Sequence, residues 1–143
     1  MRRNKVAKFV VTEPVIVFAG STVTSSCASV TINVEADDVE TTAFGAAGGF
    51  RTRIGGLKSG TVDFEFHQDM AAGAIDEIVW TNLGGTAAVK VRPGGTAAIS
   101  SSNAEYQFDV LVQQASPIDS AVGDLATVSL SFPITGEVSR ATA

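Results

Sequence analysis

Apolar and polar side chains alternate over most of this chain, and in one place the period changes. Val62, Phe64 and Phe66 alternate with Asp63, Glu65 and His67, the period of two expected for a strand wet on one face. Directly beyond it, Ile75, Ile78, Val79 and Leu83 recur at helical spacing. Asp76 and Glu77 fall in the first turns and Gly84-Gly85 follows, so the pattern predicts a helix over about 74–83. Everything else reads as strand or loop. Val15–Ala19 is a short apolar run between Pro14 and Gly20. Val30, Ile32, Val34 and Ala36 alternate with Thr31, Asn33, Glu35 and Asp37. Val89 and Val91 stand opposite Lys90 and Arg92, and Tyr106, Phe108, Val110 and Val112 form a further strand. The closing strand sets Val128, Leu130, Phe132 and Ile134 inward and runs on towards Val138. Pro133 within it points to an edge or a bulge.

Six or seven strands with one helix among them predict a mainly β fold: a two-sheet β-sandwich or a partly closed barrel with the helix packed outside. The chain divides into an N-terminal arm over 1–13, a single β-domain over 14–140 and a short tail over 141–143. Within the domain, residues 44–60 stand apart. They hold two Gly-Gly pairs, Gly48-Gly49 and Gly55-Gly56, with Phe50, Ile54 and Leu57 as isolated apolar anchors and Arg51, Arg53 and Lys58 as basic residues. Neither a dinucleotide fingerprint nor a phosphate-binding loop matches this spacing. The stretch reads as a long glycine-rich loop, either a flexible excursion or, the favoured reading, an interaction loop ordered by a partner. Gly84–Val89 and Gly94–Ile99 nearly repeat one another, but two copies do not make a solenoid.

Charge adds an asymmetry. The first twelve residues carry Arg2, Arg3, Lys5 and Lys8 and no acid, whereas the rest carries six basic against fifteen acidic residues. An acidic body is a poor nucleic-acid binder, because phosphate contacts need Lys and Arg. A basic arm can dock on the acidic body of a neighbouring copy, or it can be a frayed terminus that its charges keep solvated. Composition does not choose between them. The apolar run after the basic residues is interrupted by Glu13 and Pro14, so it is not read as a signal peptide, and no window has the length of a membrane span. One cysteine, Cys27, leaves no disulfide framework and fits a plain buried or half-buried thiol in a chain made in a reducing cytoplasm.

The inventory for catalysis is thin. His67 is the single histidine and falls on the wet face beside Glu65, so a hydrolase reading rests on it alone. One His and one Cys cannot build a zinc site within a chain. Glu35, Asp37, Asp38 and Glu40 crowd a strand end, but the spacing is not that of a calcium loop and solvated charges explain it better. No catalytic, cofactor or metal residue is assigned. Trp80 flanks the apolar stripe of the helix and suits core or interface equally.

The order of elements resembles the tail tube, or major tail, proteins of long-tailed bacteriophages. The residues that carry the resemblance are Asp38-Val39-Glu40-Thr41-Thr42 with Phe44-Gly45, the glycine-rich basic loop, Gly73–Ile78, and the closing stretch from Gly123-Asp124 to Gly136–Arg140. It spans Val15 to Arg140 and rests on arrangement rather than on any one motif. It implies a structural virion protein of the tail, six copies to a ring, with rings stacked into a tube through which DNA passes without specific binding. Tape-measure, tail-terminator and baseplate proteins are the other implied partners. Contact candidates between subunits and rings are then Arg2, Arg3, Lys5, Lys8, Phe50, Arg51, Arg53, Lys58, Trp80 and Arg140. Asp63, Glu65 and His67 are candidates for the lumen. The competing readings are a head-completion or capsid-decoration protein and a carbohydrate-binding β-sandwich. The latter would want more exposed aromatics than one Trp and one Tyr supply.

Overall fold

The alternating stretches pair into one antiparallel sheet of seven strands, ordered β2-β1-β5-β6-β7-β4-β3. The strands are β1 (Val15–Phe18), β2 (Ser21–Thr22), β3 (Cys27–Glu40), β4 (Arg53–His67), β5 (Thr86–Arg92), β6 (Glu105–Leu111) and β7 (Thr127–Ala141), with helix α1 (Ile75–Asn82) between β4 and β5. The structure is a computed structural model that describes residues 10–11, 13–95, 98–118 and 121–142. The mainly β class and the single helix are as the pattern predicts. The sandwich halves, however, are two ends of one continuous sheet.

Strand β7 makes this possible. Its first half, Thr127–Pro133, pairs with β4, and its second half, from Ile134, pairs with β6. Pro133 sits at the last pair of the β4 ladder, opposite Thr61, where its missing N–H interrupts the interior of neither ladder. A little further on, Gly136 adopts φ +87°, and the register against β6 slips between Gln107 and Asp109. Such a bulge bends a strand sharply. The bent sheet curls until β1 lies over β4 and β7. The Phe18 ring then packs edge-on against Phe64 at 6.0 Å and against Phe132 at 5.9 Å. Val62, Phe64, Phe66, Val89, Val110, Leu130 and Phe132 fill the interior, each worth about 1.5–3 kcal/mol on full burial.

Helix α1 covers one end of this core. Ile75 and Val79 are buried, and the recess beneath them is lined by Val128 and Leu130. Its first turn is closed by Glu77, whose Oε2 accepts the Gly73 N–H at 2.8 Å. Its last turn is stopped by Gly84 at φ +85°, whose N–H donates to the Val112 carbonyl at 2.8 Å. Eight residues are too few to hold a helix in water unaided, so packing keeps it. No helix among the described residues is long and apolar enough to cross a membrane.

Two features were invisible in the pattern. The Phe18–Ser21 turn places Ala19 at φ 52° and Gly20 at φ 84°, the mirror-image turn that matches strand twist. And Asn103, the one buried polar side chain among the described residues, accepts the Gly94 N–H at 2.8 Å on Oδ1, pinning the β5–β6 connection. A Cβ on Gly94 would lie 2.4 Å from that same oxygen, so glycine is required there.

Candidate interaction surfaces

The β3–β4 pair is much longer than the body it belongs to. Pairing of β4 with β7 stops at Thr61, yet β4 continues to pair with β3 out to Arg53 opposite Glu40. Beyond Gly60 the two strands therefore form a free ribbon. The stretch read from sequence as a glycine-rich loop over 44–60 is a loop only as far as Thr52; from Arg53 it is strand β4. Gly55-Gly56 is the reason for the difference. The register slips between Ala36 and Asp38, so Gly56 and Leu57 together oppose Asp37 as a bulge. A Cβ on Gly56 would come within 3.1 Å of both Asp37 Cβ and Val39 Cγ2, which selects glycine. Gly60 marks the ribbon's base, where a Cβ would lie 2.9 Å from the Asn33 carbonyl.

The ribbon has two unlike faces. On one, Arg53 pairs with Asp38 and Arg51 Nε stands 3.7 Å from Glu40 Oε1. Thr41 and Thr52 join their hydroxyls at 3.0 Å and carry the ladder towards the tip. The crowd of acids at the end of β3 is thus split between faces, with Asp38 and Glu40 each holding an arginine. On the other face Val39 lies opposite Ile54, beside Leu57 at the bulge, flanked by Glu35 and Asp37. Ile54 is 59% exposed and Leu57 82% exposed, and Phe44 and Phe50 at the tip are exposed as well. A two-stranded ribbon is marginal in water by itself, and a row of bare apolar side chains on one marks a contact surface.

The sequence candidates fall on several elements. Phe50, Arg51, Arg53 and Lys58 come together on the ribbon. Trp80 projects from α1, 62% exposed, so it is not a core residue. Arg140 lies on β7 with Nε donating to Tyr106 Oη at 3.3 Å. Arg2, Arg3, Lys5 and Lys8 lie outside the described residues. Asp63, Glu65 and His67 do share the outer face of β4, beside Ser29 and Thr31 of β3 and Ser129 and Ser131 of β7. Within this patch of Ser, Thr and acidic side chains the described residues include no Lys or Arg.

A further surface had no sequence signal. The curled sheet does not close: its end strands β2 and β3 are not paired to one another. The seam is an apolar cleft of about 470 Å³ between β1 and β3, with Ile16, Val30, Ile32, Val91 and Tyr106 as its walls and Val11 at its lip. Cys27 stands in this cleft, half-buried, with Sγ donating to the Ser29 carbonyl at 3.2 Å. Burial, together with the nearby Glu65 charge, pushes its thiol up to about 11.

No family profile and no curated protein sequence matches the chain. Solved structures do. A chain from the virion of a native gene transfer agent particle superposes with a TM-score of 0.72 over 91% of this chain and 96% of that one, at 15% identity. A chain from the tail of an empty gene transfer agent particle, computed with helical refinement in C6 symmetry, gives a TM-score of 0.63 over the same shares, at 16% identity. The fold is therefore that of chains found in a phage-like particle and its tail.

Proposed function

We propose that this chain is a structural protein of a phage-like tail that assembles with copies of itself into rings, six to a ring, and that the rings stack into a tube conducting DNA. The observation that carries the reading is the likeness, across nearly the whole of both chains, to a chain in a six-fold symmetric tail. The molecule's own features support it. The outer edge of β3 is unpaired along its length, a liability that edge-to-edge closure into a ring removes. The ribbon offers bare apolar side chains, suited to contact between rings. The Asp63, Glu65 and His67 face is the proposed lumen wall, because a surface without Lys or Arg gives passing phosphates nothing to hold. Phe50, Arg51, Arg53, Lys58, Trp80 and Arg140, with the basic arm, are the proposed subunit contacts. Tape-measure, tail-terminator and baseplate proteins would be the other tail partners, and the working location is the tail of the particle.

Negative-stain electron microscopy of the purified chain at increasing concentration tests this. Six-fold rings and stacked tubes are expected. Closed rings that never stack would favour a head-completion or decoration protein, and a chain that stays monomeric at every concentration would overturn the reading.

A further inference from the structure

Among the described residues, two apolar surfaces, the ribbon face and the seam cleft, have no partner. The ribbon carries Val39, Ile54 and Leu57 into solvent, and the cleft between β1 and β3 is bordered by Ile16, Val30, Ile32 and Tyr106. Strand β3 runs unbroken from Cys27 at the cleft to Glu40 near the ribbon's end, rising about 3.3 Å per residue, and so carries the ribbon away from its own cleft.

We propose that the cleft between β1 and β3 receives the apolar ribbon face of a second copy. This rests on the tail reading above and names the surface that the ribbon meets. Charge favours that occupant. The ribbon face bears Glu35 and Asp37 beside its apolar residues, and neither forms an ion pair among the described residues. Arg140 is exposed beside the cleft, paired across the ladder with the lining residue Tyr106 and bonded to its hydroxyl, and likewise has no acidic partner among the described residues. Insertion of the ribbon sets Asp37 against Arg140 while the three aliphatic side chains fill the seam. Because donor and acceptor are different surfaces of the same chain, the contact is head-to-tail and each copy filled leaves its own ribbon for the next. Such a contact closes into a ring or runs on as a stack according to the rotation between copies, and the ribbon's reach beyond the body favours the stack.

The native thiol reports on the contact. Leu57→Cys places a second thiol on the ribbon face, opposite Cys27 of the receiving copy. Assemblies of this variant, oxidised with copper–phenanthroline, are expected to run as a ladder of covalent multimers on a denaturing gel, and Cys27→Ser should lose every band above the dimer. Ala28→Cys in the Cys27→Ser background repeats the reading with a more exposed thiol. Charge exchange gives an independent arm: Arg140→Glu should lose tube growth, and adding Asp37→Arg should restore it. Wild-type tubes together with no ladder from either position of the cleft thiol, or with an unrestored double variant, would overturn the docking alone. A wild-type chain that never assembles would overturn the tail reading, and the docking with it.

Discussion

The two halves of β4 carry similar side chains to opposite ends. In Thr61–His67, Val62, Phe64 and Phe66 are at most 2% exposed. In Arg53–Gly60, Ile54 and Leu57 remain mostly in solvent. Hydrophobicity does not separate them; the neighbouring strand does. Strand β7 flanks the first half and has turned away to β6 before the second half begins. The sheet with its curl completes one half internally, whereas the other half stays in solvent in a single copy and, on the tail reading proposed above, is covered by another. Apolar residues in the first half are therefore expected to act on folding, and those in the second on assembly.

This contrast can be tested in order of effect. Phe132→Ala removes a ring fully buried against Phe18 and Phe64. It should cost about 3–5 kcal/mol in chemical denaturation, enough to threaten folding. If the loss were below about 1 kcal/mol, the body would not be organised around this cluster. The seam lies between the two extremes, buried in part by the chain itself. At pH 9 a thiol with the ordinary value of 9.0 is half ionised, whereas one pushed up to about 11 is ionised about one part in a hundred. Iodoacetamide should therefore modify Cys27 about 50-fold more slowly in the folded chain than in urea. Since the folded value lies above the unfolded one, the stability that Cys27 contributes is whole below pH 9 and declines as pH rises from 9 through 11. Equal rates in the folded and unfolded chain would mean an open seam. At the ribbon, Arg53→Ala deletes an exposed pair with Asp38 and should change folding stability by about 0.5 kcal/mol or less. A larger change would mean that the ribbon supports the body.

Much of this contrast could be read from sequence, though not where it divides. Period-two alternation located the core strands because their burial follows the pleat, whereas Pro133, read as an edge or a bulge, lies where β7 leaves β4 for β6, with the bulge further on near Gly136. The helix was legible to within a residue or so at each end, since Asp76, Glu77 and Gly84 punctuate it. Gly55-Gly56 misled, because a glycine pair that permits a bulge inside a strand looks in one dimension like a pair that permits a loop. Trp80 sat at the flank of its stripe, and only packing could decide that it faces outward. The seam cleft and the Asn103–Gly94 lock had no sequence signal at all. Both arise where segments distant in the chain are brought together by the curl of the sheet, and no local period encodes that curl.

The division of labour along β4 is most directly tested on the variant Ile54→Asp/Leu57→Asp, with thermal unfolding and electron microscopy performed on the same preparation. Both side chains are exposed, so the melting temperature should stay within about 2 °C of the wild type, while tubes formed by the wild type should be absent. Tubes of normal length from the charged ribbon, or a variant that fails to fold, would contradict the account.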